Sequence, residues 1–235
     1  MIQSNAKTIF VANVKGGVGK STLTVYLTDY LRHRFKHKNI TMIDTDPQGT
    51  SFELLEPSAR NGEVRFLPVG DRFDGVNLSA LDGVLRRVLS QPDAIALVDT
   101  GAGPIGSFWR MMSLGSALIV PTAMSWADLR PTIEFIKEID ERKVDFNTNT
   151  PHVIVVPNRV SPNQRNFSQI VSALNNVNAV LAPSVSELVI ARTQTPDFGG
   201  LTEVQGTRFH AEISRLGDFI VDYVISGELD RMYAN

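Results

Sequence analysis

The sequence predicts an α/β fold, a mostly parallel twisted sheet with helices on both faces. Three observations point to it. Short, nearly continuous apolar runs alternate with longer amphipathic stretches. A glycine-rich turn joins the first apolar run to the first amphipathic stretch. Acidic or amide residues follow several of the apolar runs at their carboxyl ends, where open parallel sheets bind ligands.

The elements follow in chain order. Strands are predicted over Thr8–Val14, Ile40–Ile43, Val64–Val69, Ala94–Val98, Ala117–Val120 and Val153–Val156. These runs are rich in β-branched residues and apolar on both sides, as strands buried on both faces are. Leu23, Leu27, Leu31 and Phe35 recur every four residues, with Tyr26 and Tyr30 beside them, and predict the first helix. Leu129, Ile133, Ile136 and Ile139 predict a second. Phe209, Ile213, Leu216, Ile220 and Tyr223 predict a third, with Arg208, Glu212, Arg215 and Asp222 on its other side. No repeat, low-complexity block or linker interrupts the chain, so residues 1–235 are expected to form a single domain.

Bulk composition narrows the function. At 43% hydrophobic and 20% charged the chain reads as an ordinary soluble globular protein. With no Cys, disulfides, thiolate metal sites, iron–sulfur ligation and a Cys nucleophile are excluded. The net charge of -2 gives no global attraction to nucleic acid, so such binding needs a local basic patch. The apolar runs are too short to span a bilayer, and Met1 to Lys7 lacks the apolar stretch of a signal peptide. A cytoplasmic location is expected. The four His residues show no metal-ligand spacing. Trp109 and Trp126 read as packing or interface residues.

The turn after the first strand runs Lys15-Gly16-Gly17-Val18-Gly19-Lys20-Ser21-Thr22. Phosphate oxygens need several backbone N–H groups converging on one point. Side chains at Gly16, Gly17 and Gly19 would block that approach or forbid the dihedrals it requires. The following helix N-terminus adds a favourable dipole. Lys20 can reach the terminal phosphates, and the Ser21 hydroxyl can ligate Mg²⁺. The alternative, a glycine-rich turn with no ligand, fits poorly with Lys-Ser placed inside a strand–turn–helix. The usual phosphate-loop pattern has Gly where Val14 stands, and here an extra Lys follows it.

Three further motifs lie at strand ends. The second strand closes on Asp44-Thr45-Asp46-Pro47-Gln48-Gly49, two carboxylates that packing alone does not require. An Asx-turn is the ordinary alternative, and both can hold. The fourth closes on Asp99-Thr100-Gly101, where a strand-end carboxylate can hold a Mg²⁺-bound water, a helix or turn cap being the weaker alternative. Asn158 and Arg159 follow the sixth. A side-chain amide offers the donor and acceptor needed to read a base, although a turn Asn explains the residue as well.

With these motifs the chain resembles the ParA/MinD superfamily of deviant Walker A P-loop ATPases, whose signature is Lys-Gly-Gly-x-Gly-Lys-[Ser/Thr]-Thr. The resemblance implies ATP and Mg²⁺ as ligands, with Lys15 to Thr22 around the phosphates. It implies that Lys15 reaches the partner's phosphates across a nucleotide-sandwich homodimer, an ordinary surface lysine being the alternative. It implies that Asp46 orients or activates the attacking water, that Asp44 supports the metal shell, and that Gln48 shapes the switch. Asp99 then takes the Walker B place beside Ser21 as a metal residue, Asn158 reads the adenine edge, and Pro183 packs on the base. The run after Asp99 is Thr-Gly-Ala-Gly-Pro104 rather than the family's usual x-Pro-Pro, which points toward divergent members tied to plasmid or DNA-transfer systems.

Within the superfamily the expected function is that of a ParA-like ATPase that slowly hydrolyses ATP and positions plasmid DNA or another cargo. Its expected partners are nonspecific DNA, for which the C-terminal third offers Arg192, Arg208 and Arg215 diluted by Asp197, Glu203 and Glu212, and a ParB-like adaptor, with association with the nucleoid. The alternatives are a MinD-like membrane organiser and an ATP-dependent metabolic enzyme. The acidic run from Asp218 to Asp230 argues against a lipid-binding terminus.

Overall fold

The computed structural model describes residues 5–59, 63–69, 75–103, 109–146, 151–161, 168–175, 177–187 and 200–226. The strands are β1 (Lys7–Val11), β2 (Ile40–Asp44), β3 (Val64–Phe66), β4 (Ile95–Asp99), β5 (Ala117–Thr122), β6 (His152–Pro157) and β7 (Val180–Leu181). They form one seven-stranded sheet in the order β3-β2-β4-β1-β5-β6-β7. Every pairing is parallel. The helices are α1 (Lys20–Arg34), α2 (Thr50–Leu55), α3 (Gly75–Leu89), α4 (Trp109–Met112), α5 (Trp126–Phe146), α6 (Ser168–Leu174), α7 (Gly200–Glu203) and α8 (Arg208–Ile220). A π-helical turn, Val221–Ile225, extends α8.

Side-chain alternation along the strands divides the core in two. Ile9 and Val11 of β1, Ile95 and Leu97 of β4 and Ile154 and Val156 of β6 face α1, α7 and α8. Phe10, Ala96, Val98, Val153 and Val155 face α3, α5 and α6. The period of two sends each neighbour to the opposite layer, which is why these runs are apolar throughout. Each fully buried aliphatic side chain contributes about 1.5–3 kcal/mol, so the two layers supply the bulk of the folding drive.

Helix α1 is buried on most of its surface, by Leu23, Val25, Tyr26, Leu27 and Leu31. Its threonines tolerate burial because Thr24 Oγ1 donates to the Lys20 carbonyl at 3.0 Å and Thr28 Oγ1 to the Thr24 carbonyl at 2.7 Å. Tyr26 meets Phe209 of α8 edge-on, with ring centroids 4.7 Å apart.

The first strand is shorter than Thr8–Val14. It ends at Val11, and buried Asn13 continues beside β5 through its side chain, which bonds the Pro121 carbonyl. The first helix starts at Lys20, a turn before its first apolar residue. β7, α2, α3, α4, α6 and α7 are additions to the sequence-based expectation. Pro104, Arg192 and the run 227–235 lie outside the described residues.

Candidate functional site

The order of the sheet places β1 between β4 and β5, where the connections diverge to the two sides. The crevice outside the carboxyl ends at such a point is the ligand site of open α/β sheets. Here it is a cleft of about 680 Å³, walled by the phosphate loop, Asp46 to Gln48, Gly101 and Ala102, Asn158 and Arg159, and Val185 to Glu187.

The loop is held from below by Asn13. Its Nδ2 donates to the Pro121 carbonyl at 2.8 Å and to Thr132 Oγ1 at 2.9 Å. Its Oδ1 accepts from the Lys15 amide at 3.0 Å. One buried amide thus joins the loop to β5 and α5. Gly19 caps α1 at φ 90, with no side-chain cap and no acidic residue in the first turn, so the helix's N–H groups are left to a ligand. A Cβ on Gly19 would also overlap the Asn158 amide.

Lys20 is only 6% exposed, and its Nζ donates to the Lys15 carbonyl at 3.1 Å. Burial depresses its pKa, while Asp99 and Asp46 favour its charged form. Lys15 sits at the rim, where its Nζ lies 3.7 Å from Asp128 Oδ1 at the start of α5. Ser125 donates to the other oxygen of Asp128. Trp126, between them, is 63% exposed, while Trp109 packs against the second core layer beneath the Arg142 guanidinium.

The parallel register pairs Asp44 of β2 directly with Asp99 of β4, and both are fully buried. The oxygens of Asp44 are engaged, Oδ1 by the Asp46 amide and Oδ2 by the Phe52 amide, each at 2.9 Å. Asp44 therefore braces the loop that carries Asp46. Burial raises its pKa against those two bonds and the Ser51 hydroxyl. Asp46 is half-buried, and its Oδ1 accepts from the Gln48 amide at 2.9 Å, so the Asx-turn is present. Pro47 and Gln48 are exposed at the cleft.

Asp99 differs from Asp44 in having no donor aligned on either buried oxygen. Burial, then the adjacent Asp44 carboxylate, lifts its pKa to about 7. The Ser21 and Ser51 hydroxyls and Lys20 pull it down without satisfying it. A buried carboxylate of this kind asks for a cation. Mg²⁺ needs one or two carboxylates and fills its shell with water and phosphate oxygens. Asp99 with the Ser21 hydroxyl fits that demand, whereas among the described residues no group of three or more acidic or His side chains forms a cage by itself.

At the end of β6, Asn158 is buried and its Nδ2 donates to the Val18 carbonyl at 2.7 Å. Arg159, unexpected from the sequence, crosses the cleft mouth to the Gly17 carbonyl and to Glu187. Pro183 is half-buried beside the cleft, whose wall is formed instead by Val185, Ser186 and Glu187. Behind that wall the structure buries a residue that the sequence places on the polar side of the third helix. Glu212 of α8, 3% exposed, accepts from the Ser186 amide and hydroxyl at 2.8 Å each and from Arg208 Nε at 2.7 Å. Burial pushes its pKa up, but these donors outweigh it and hold the carboxyl below its ordinary value. Arg208 is thereby tied to the cleft wall, and Arg215 stands exposed on α8.

A glycine loop, its lysine and a buried strand-end aspartate at the switch point of a parallel sheet define a nucleotide-binding domain. The family described as the CobQ/CobB/MinD/ParA nucleotide binding domain matches residues 9–194, and the chain belongs to that family. A stretch of 105 residues, 44% of the chain, is 31% identical to the chromosome-partitioning ATPase Soj of Thermus thermophilus. That match spans 40% of the Soj length. The fold is similar to McdA of Cyanothece in complex with ATP, with a TM-score of 0.68 at 14% identity, over 93% of this chain and 96% of that one. It is also similar to the septum site-determining protein MinD of Pyrococcus horikoshii with Mg-ADP, with a TM-score of 0.65 at 17% identity, over 94% and 98%. Among the described residues no helix is long and apolar enough to cross a membrane.

Proposed function

We propose that the protein is a ParA-like ATPase that binds ATP with Mg²⁺, hydrolyses it slowly, and pairs with a second copy to position plasmid DNA or another cargo. One observation carries the reading. Asp99, buried with no aligned donor on either oxygen, lies beside Lys20 and Ser21 of the glycine loop, which supports a place for a cation next to a place for phosphates. Loop amides and Lys20 hold the phosphates. Asp99 and Ser21 hold the metal, which neutralises phosphate charge when bound, and Asp44 braces the switch. Asp46 orients the attacking water, since phosphoryl transfer depends on positioning and charge more than on covalent help. Asn158 reads the adenine with its Oδ1 and second Nδ2 hydrogen while Nδ2 keeps its bond to Val18. The match to Soj, a chromosome-partitioning ATPase, supports a positioning role.

The test is thermal stability with Mg-ATP. A ligand specific to the folded state raises Tm by mass action. Wild type should shift, Lys20→Ala should not, and Asp46→Ala should shift yet turn over far more slowly. Equal shifts in wild type and Lys20→Ala would remove the phosphate-loop assignment. Retention of duplex DNA by the ATP form, weakening steeply with salt, is expected of the ParA-like role. Pelleting with anionic vesicles and no DNA retention would move the protein to the MinD-like class.

A further inference from the structure

We propose that Arg159 is a positioning residue that fixes the phosphate loop and ties it to the loop on the base side of the cleft. The proposal rests on the nucleotide-site reading above and adds a residue to it. Asn158 and Arg159 are consecutive at the end of β6, and they hold consecutive carbonyls of the phosphate loop. Asn158 Nδ2 donates to Val18 and Arg159 Nη1 to Gly17.

In a trans peptide the C=O and N–H point in opposite directions. Anchoring the Gly17 and Val18 carbonyls outward therefore fixes the N–H groups of Val18 and Gly19 toward the hollow of the loop. These are the groups a phosphate must meet. The loop is thus oriented before any ligand arrives, which lowers the ordering cost of binding.

The other edge of the guanidinium faces Glu187, with Nε at 3.2 Å and Nη2 at 3.1 Å from Oε1. Glu187 belongs to the wall segment, whose backbone is bonded to Val160 and Pro157. One planar fork therefore spans both sides of the cleft, a geometry that a lysine ammonium cannot reproduce. Arg159 also adopts φ 56, a left-handed conformation that non-glycine residues rarely take. Such strain persists where surrounding contacts over-determine it.

Backbone 15N order parameters at Val18 and Gly19 in the ligand-free protein test the idea directly. Arg159→Ala should lower them from about 0.85, the rigid value, to about 0.6 or below. Arg159→Lys should restore part of the order, and the values in β4 and β5 should not change. Arg159→Gly separates positioning from general stability. Glycine accepts φ 56, so its Tm should match or exceed that of Arg159→Ala while the loop is as disordered. Affinities for Mg-ATP and for Mg-tripolyphosphate, which has no base, should fall by the same factor in Arg159→Ala. Unchanged order parameters at Val18 and Gly19 would overturn the proposal. So would a loss confined to Mg-ATP, which would make Arg159 a contact of the base or ribose. Failure of the wild type to bind Mg-ATP would remove the ATPase reading, and the order parameters would still decide the role of Arg159.

Discussion

Asp99 and Gly19 show how much single positions decide here. Asp99 carries a folded pKa of about 7 against an ordinary 3.8. Between about pH 4 and 7 the unfolded chain has released this proton while the native chain keeps it. Its contribution therefore lowers stability as pH rises through that window, and the penalty is level above it. In metal-free buffer, Asp99→Asn should flatten this decline and raise Tm at pH 8, while Mg-ATP should no longer stabilise the variant. A Tm at pH 8 no higher than wild type would contradict the buried charge. Gly19→Ala meets two obstacles, a left-handed backbone and the Asn158 amide. It should lose ATP binding and lower Tm, read by nucleotide titration and calorimetry.

At the scale of elements, side-chain amides and carboxylates tie segments that the sheet alone leaves independent. Asn13 joins the β1–α1 loop to β5 and α5. Asn13→Ala strands buried groups at a cost of about 1–3 kcal/mol. At roughly 2–4 °C per kcal/mol for a chain of this size, Tm should fall by about 2–12 °C. Glu212 joins α8 to the cleft wall at Ser186. Its folded pKa is depressed, so its stabilisation is present above the unfolded value and is lost as pH falls through the folded one. Glu212→Gln should be destabilised at pH 7 and approach wild type in acid, as denaturant melts at both pH values would report. An equal deficit at both would leave packing alone as the cause.

For the whole molecule the question is assembly. Lys15 is paired with Asp128 across a half-exposed rim, a contact worth at most about 1 kcal/mol. Lys15→Ala should therefore fold with a nearly unchanged Tm. If Lys15 serves the partner's phosphates, the variant should keep much of its affinity for a single nucleotide and fail to dimerise with ATP. Each copy supplies the same contact to the other in a two-fold interface. Sedimentation with ADP and with ATP, in an Asp46→Ala background that prevents turnover, reads this. A Lys15→Ala chain that dimerises like wild type would rule out the cross-dimer role.

The chain alone determined the fold class, the glycine-rich turn between strand and helix, and the strand-end acids. These are set by local spacing: an apolar strand, glycines where N–H groups must converge, and a helix whose first turn is free. It did not disclose α3, because Gly75, Asn77, Ser79 and Gly83 dilute the propensity around Leu78, Leu81, Leu85 and Val88. It could not disclose β7, two residues long and too short to show a period. Only the tertiary structure decided that Asp44 would lie beside Asp99, because strand order, not sequence distance, makes them neighbours. The same holds for Arg159 on Gly17 and for Glu212 on Ser186, where the partners meet through packing of distant segments. Local chemistry fixes where phosphate can bind, and long-range packing fixes which groups hold that place in shape.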